Sequence, residues 1–129
     1  MRRGDGERGA AATELTLAMP VVLILIMLVF QAGLYYHAAN VATAAAQDGL
    51  RAAQVAEGSP GAGDQRAREI LGRSAGRLLD DVDVSVSPDA RRVRVQVSGS
   101  VASVVPGLNL RVTRTAEGPR EQFLPPDQR

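Results

Sequence analysis

One carboxylate lies at the start of the longest apolar stretch of this sequence. Glu14 directly precedes an uncharged run that begins at Leu15, and the next charged residue is Asp48. A carboxylate at the edge of membrane hydrocarbon costs about 3 kcal/mol or more on insertion scales, so one that is kept there usually has a partner or a task. A carboxylate of this kind can pair with an amine. We therefore interpret Glu14 as a functional residue.

The run from Leu15 to Tyr36 is long enough to cross a membrane once. As a helix it measures about 33 Å, against about 30 Å for a hydrocarbon core. Basic residues precede this run, at Arg2, Arg3 and Arg8, and the next arginine is Arg51. This asymmetry favours a cytoplasmic N-terminus and places the remainder outside. We interpret Tyr35, Tyr36 and His37 as residues of the far membrane interface.

Composition excludes most catalytic classes. The chain has 129 residues, a single histidine, no cysteine and a net charge of +1. No nucleotide-binding, metalloprotease or serine-nucleophile pattern occurs, and Asp80, Asp81 and Asp83 are interpreted as a helix end that leads into an edge strand. We therefore predict no catalytic, cofactor-binding or metal-binding residue, and no nucleic-acid or small-molecule ligand. The chain is not predicted to be an enzyme.

An alanine-rich segment follows the apolar run without a proline. Alanine is the best helix former, so we expect the membrane helix to continue to Glu57 as a stalk. Small residues recur along it at four-residue steps, which permits close packing against another helix. The candidate packing positions are Ala38, Ala42 and Ala46 in one series, and Ala45, Gly49 and Ala53 in the other.

The second half of the sequence predicts a small exterior domain. Gly58 to Gly63 is interpreted as a linker, and Asp64 as the cap of a short second helix from Gln65 to Leu79. Alternating valines then predict three antiparallel strands in a meander, with the second helix as the cover of its inner face. The predicted strands are Asp81 to Ser87, Arg92 to Val101 and Leu108 to Ala116. The fold class is therefore α+β.

The N-terminal residues resemble a known family. A basic leader ends in Gly9, Ala10 follows, Glu14 is the fifth residue after Gly9, and a hydrophobic helix starts at once. This arrangement is similar to a prepilin-type signal, and Arg8 to about Ala53 resembles the TadE-like minor pilins, or pseudopilins, of tight-adherence pilus systems. The resemblance implies cleavage by a prepilin peptidase between Gly9 and Ala10. It also implies a place in the cytoplasmic (inner) membrane or in the pilus, with other pilin-like subunits as partners.

These observations divide the chain into five expected segments. They are a leader peptide (1–9), a transmembrane and stalk helix (10–57), a linker (58–63), a small α+β domain (64–117) and a flexible tail (118–129). The leading hypothesis is a non-enzymatic pilin-like subunit or assembly factor of a Tad-type pilus or a related secretion apparatus. Two alternatives remain. One is a single-pass membrane-anchored binding protein that is not processed. The other is a secreted protein with an ordinary signal peptide cut near Ala39.

Overall fold

The computed structural model describes residues 3–55 and 59–120, and it has the predicted α+β class. The elements are α1 (Arg3–Gln54), α2 (Pro60–Ser74), β1 (Leu79–Pro88), β2 (Arg92–Val101) and β3 (Leu110–Pro119). The first two residues of the expected leader, residues 56–58 of the expected stalk and linker, and residues 121–129 of the expected tail lie outside the described residues.

Helix α1 is a single element of 52 residues that joins the apolar run to the alanine-rich segment. Pro20 lies inside the helix, where its missing N–H leaves the Thr16 carbonyl without the usual donor. The helical assignment continues through this position without interruption. The predicted rod is therefore confirmed up to Gln54.

Helix α2 begins earlier than predicted. Ser59 is its N-cap, with the Ser59 Oγ accepting a hydrogen bond from the Ala62 backbone N–H at 3.2 Å, and Pro60 opens the first turn. The predicted start at Asp64 and Gln65 is wrong, because a serine cap followed by proline fixes the helix start despite the nearby glycines. Asp64 forms an ion pair with Arg68 instead. The helix ends at Ser74 rather than at Leu79.

The sheet has the predicted meander order, β1-β2-β3, and both strand pairs are antiparallel. β1 carries a bulge between Asp80 and Asp83, and Asp81 has a positive φ of 52° there. Leu79 is buried and Val82 half-buried, although they are an odd number of residues apart. The extra residue of a bulge shifts the alternation, so both side chains can face the core.

The core lies between the sheet and both helices. The sequence predicts the second helix as the cover of the sheet, and α2 does pack against it, but α1 contributes much of the cover as well. The buried side chains include Ala38, Ala42, Ala45, Ala46 and Ala53 of α1, Ala67 and Leu71 of α2, and Val93, Val95, Val97 and Val112 of the sheet. Alanine side chains are short, so the α1 backbone can lie close to the valines, and the helix that carries the apolar run also supplies part of the core.

Candidate functional site

The predicted processing and charge residues lie on the first turns of the helix described above. Gly9, Ala10 and Glu14 are all exposed, and Ala10 and Glu14 are four residues apart on one helical face. Within residues 3–55 and 59–120, Glu14 has neither an ion pair nor a side-chain hydrogen bond. The Gly9 carbonyl accepts a hydrogen bond from the Thr13 Oγ1 at 2.9 Å, so the expected cleavage position is held in helical conformation.

The free apolar segment of α1, residues 15–30, follows Glu14. The large apolar side chains from Leu15 to Phe30 are exposed except Met27, which is partly covered, with exposed fractions of 63% for Leu15 and 66% for Phe30. Among the described residues this is the one helix long and apolar enough to cross a membrane. The segment from residue 15 to residue 30 measures about 24 Å. Because all of its large side chains but Met27 are exposed, this segment is available to lipid or to neighbouring helices.

Gln31 ends the free segment and ties it to the exterior domain. Its side chain is only 2% exposed. The Gln31 Nε2 donates to the Ala102 carbonyl at 3.1 Å, and its Oε1 accepts from the Val104 N–H at 2.9 Å. Both groups belong to the β2–β3 loop, residues 102–109. A buried amide with both ends bonded is stable, whereas an unbonded one would cost about 1–3 kcal/mol.

A second amide ties the other end of the domain to the helix. The Gln54 Nε2 donates to the Pro119 carbonyl, at the end of β3, over 2.7 Å. Gln31 and Gln54 are separated by about 35 Å of helix. β2 therefore runs from the Gln54 end towards Gln31, and the β2–β3 loop is the part of the domain nearest the free apolar segment.

The predicted packing positions are used inside this chain. Ala38, Ala42 and Ala46 are buried in the core. At Gly49 an added Cβ would lie 3.0 Å from the Gly63 carbonyl oxygen and 3.1 Å from the Ala67 Cβ. Close helix contact of the kind expected from the small residues thus occurs between α1 and α2. A small-residue stripe does not by itself tell whether its partner lies in the same chain or in another.

The far end of the domain carries a compact charge cluster. The Arg92 Nη1 lies 3.2 Å from the Glu117 Oε1, and the Arg94 Nη2 lies 3.1 Å from its Oε2. Hydrogen bonds from Arg92 and then from Arg94 hold the pKa of Glu117 below its ordinary value of 4.5. In the described part of the chain, no group of three His, Asp or Glu side chains is placed to hold a metal ion. Asp80, Asp81 and Asp83 are exposed along β1.

Sequence reasoning did not give Gln31 a role. The signal was present, because Gln31 is the one amide side chain between Leu15 and Tyr36. An amide in such a run needs hydrogen-bond partners. Its partners could not be identified from the sequence, since both are backbone groups more than 70 positions away, at separations of 71 and 73 residues.

Comparison with known families matches residues 9–51 to the model described as TadE-like protein. The match begins at Gly9, covers one third of the chain and confirms the resemblance predicted from Arg8 to about Ala53. Searches of curated proteins and of solved structures give no significant match.

Proposed function

We propose that this protein is a non-enzymatic, pilin-like membrane subunit or assembly factor of a Tad-type pilus or related secretion apparatus. The N-terminus would lie in the cytoplasm, α1 would cross the inner membrane once, and the α+β domain would lie outside. The match over residues 9–51 supports the pilus association. The free apolar segment from Leu15 to Phe30 supports a membrane or bundle environment for the first half of α1.

The observation that carries the proposal is the unpartnered Glu14. It is exposed at the start of the free segment and has no ionic partner within residues 3–55 and 59–120. A carboxylate at a membrane edge is costly when it is unpaired. A partner from another molecule would offset that cost, and the chain itself offers a suitable group one turn away.

That group is the amine that processing would create. Cleavage after Gly9 by a prepilin peptidase would leave a new α-amino group on Ala10 and remove the 1–9 leader. Each subunit would then carry a cation and an anion four residues apart on one helical face. Pairing of Glu14 with the amine of a neighbouring subunit would offset the desolvation of both charges and fix the axial register.

The signal-peptide alternative fits the packing poorly. A cut near Ala39 would separate Gln31 from its two bonds to the β2–β3 loop. It would also divide α1 within the buried series Ala38, Ala39 and Ala42. The exterior domain would lose part of its core. An ordinary signal peptide is removed and contributes no residues to the core of the mature protein.

Crosslinking in membranes tests the charge pair. We expect Glu14→Ala and Glu14→Gln to insert as well as the wild type, since a costly charge is gone, but to yield fewer crosslinked oligomers. Thr16→Ala is the matched control, because it changes a nearby exposed polar residue without removing a charge or the Thr13 bond to the Gly9 carbonyl. Equal oligomer yields in all four proteins would exclude the pairing mechanism, and an unprocessed wild type would favour the membrane-anchored binding protein.

A further inference from the structure

The β2–β3 loop is the most apolar exposed part of the exterior domain, and it faces the membrane end. Residues 102–109 read ASVVPGLN and carry no charge, and the uncharged stretch extends from Val95 to Leu110. Val104 is 43% exposed, and Val105 and Leu108 are partly exposed. No element in the described part of the chain covers the outer side of Val104. An uncharged loop of this composition suits an apolar or interfacial environment.

Gln31 fixes the depth of this loop along α1. The two hydrogen bonds from Gln31 place Ala102 and Val104 beside the last turn of the free apolar segment. Met27, one turn before Gln31 on the same face, is the one partly covered side chain among residues 4–30. The loop therefore lies beside residues 27–31 of the helix.

The thickness of the membrane places Gln31 within the hydrocarbon core. With Glu14 at one edge of the hydrocarbon, a core of about 30 Å takes about 20 helical residues and ends near Leu34. Gln31 then lies about 5 Å below the far boundary. A loop beside Gln31 must enter the lipid on that side unless the helix is displaced towards the cytoplasm.

The hydrogen bonding of the loop suits an interfacial depth. The Ala102 N–H donates to the Leu78 carbonyl at 2.8 Å, and the Leu108 N–H donates to the Val105 carbonyl at 3.2 Å. The Val104 N–H is bonded to Gln31, and Pro106 has no N–H to satisfy. Internal bonding of this kind lowers the cost of moving backbone groups towards hydrocarbon.

We propose that the β2–β3 loop is a membrane-contact site that inserts Val104, Val105 and Leu108 into the lipid of the leaflet facing the exterior domain. The occupant of this surface is lipid rather than protein, because the two Gln31 hydrogen bonds hold the loop beside the segment that would span the bilayer. The contact would set the height and tilt of the domain on the membrane. It rests on the membrane span of the proposed function and not on processing or assembly.

Tryptophan fluorescence tests the contact, since the chain has no tryptophan of its own. Three full-length variants are compared in vesicles of phosphatidylcholine and phosphatidylglycerol: Val104→Trp, Val55→Trp and Leu25→Trp. Val55 is the matched control, because it is an exposed valine (57%) at the opposite end of the domain, while Leu25 lies in the free segment and reports insertion. We expect Val104→Trp to emit at shorter wavelength than Val55→Trp. Lipids brominated near the carboxyl end of the acyl chain should quench it several-fold more strongly than Val55→Trp.

The outcomes separate the loop from the span. In one outcome, brominated lipid quenches Leu25→Trp, whereas aqueous iodide reaches both Val104→Trp and Val55→Trp. This result would overturn the loop contact and leave the membrane span in place. A Leu25→Trp that stays unquenched by lipids brominated near the methyl end of the acyl chain, at the depth of the bilayer midplane, would overturn the span and the loop contact together. Shielding of Val104→Trp from iodide without quenching by brominated lipid would mean a protein occupant and would also overturn the proposal.

A second measurement avoids the bulk of tryptophan. The chain has no cysteine, so Val104→Cys and Val55→Cys each give a unique thiol. In vesicles, a membrane-impermeant maleimide added on the domain side should label Val104→Cys several-fold more slowly, and detergent should remove most of the difference. Equal rates in vesicles would contradict the proposal.

Discussion

The Gln31 Oε1 accepts a hydrogen bond from the Val104 N–H at 2.9 Å, which joins the membrane helix to a loop 73 residues later in the chain. The same side chain donates to the Ala102 carbonyl, so one amide bonds both groups. This pairing places the β2–β3 loop beside the end of the free apolar segment. It also explains how a polar side chain is tolerated at the end of an apolar segment, since neither end of the amide lacks a partner.

Gln31→Leu should destabilise the docking of the β2–β3 loop. The substitution leaves the Val104 N–H and the Ala102 carbonyl without their partner, at a cost of about 1–3 kcal/mol. We expect a lower melting temperature and faster amide hydrogen exchange at Val104. Gln47→Leu is the control, because Gln47 is exposed on the same helix. Equal melting temperatures for the two variants would show that the tether contributes nothing to stability.

Gly63→Ala and Gly72→Ala should change stability in opposite directions, although both residues lie in α2. An added Cβ at Gly63 would lie 2.9 Å from both the Ala53 Cβ and the Gly49 carbonyl oxygen, whereas nothing lies within 4 Å at Gly72. Alanine in an open helical position stabilises by roughly 0.5–1 kcal/mol. Chemical denaturation should show Gly72→Ala as more stable and Gly63→Ala as less stable than the wild type. A stabilising Gly63→Ala would disprove the close helix crossing.

The exterior domain should require α1 in order to fold. A fragment of residues 31–120 keeps the buried alanines from Ala38 to Ala53 and should melt cooperatively, while a fragment of residues 59–120 should lack a cooperative transition. Circular dichroism on heating distinguishes them. Val95→Asp in the longer fragment is the control for the core, because Val95 is fully buried and a charge there is costly. A cooperative melt of residues 59–120 would show that the sheet and α2 suffice.

Processing after Gly9 should depend on how readily the first turns of α1 unwind. Glycine lowers helix stability by about 1 kcal/mol per residue relative to alanine, and Gly4, Gly6 and Gly9 all lie in these turns. Gly4→Ala with Gly6→Ala should therefore slow cleavage, and Gly9→Val should block it. Gly33→Ala, at an open position of the same helix, should have no effect. The mass of the membrane-extracted protein gives the result. A wild type that retains Met1 would contradict the processing hypothesis.

Acid should remove the stabilising contribution of Glu117. Its pKa is lowered by Arg92 and Arg94 in the folded protein, so the contribution is present above the ordinary value of 4.5 and is lost as the pH falls through the lower folded value. The stability difference between wild type and Glu117→Gln should be small at about pH 7 and should shrink further in acid, because exposed ion pairs are weak. Asp83→Asn controls for the loss of one exposed carboxylate. A difference that grows in acid would contradict the charge assignment.

The sequence by itself determined the long apolar helix, the three strands and the TadE-like resemblance. Each depends on a short-range pattern: an uncharged run from Leu15, alternating valines such as Val93, Val95 and Val97, and the spacing of Gly9 and Glu14. Local patterns of this kind reflect burial and hydrogen bonding within one element. They can therefore be interpreted without knowing which other elements pack against it. The start of α2 was predicted wrongly, although the local sequence contains the signal, since Ser59 is an N-cap residue followed by Pro60.

Only the tertiary structure decided which surfaces meet. The small residues of α1 could have packed against another subunit, but they pack against α2 and the sheet of the same chain, with Gly49 and Gly63 in close contact. Gln31 found its partners in a loop 71 and 73 residues away. Hydrophobic burial and backbone hydrogen bonding do not specify a partner until the whole chain is placed. For that reason the sequence predicted the membrane span, and the structure placed the exterior domain beside its end.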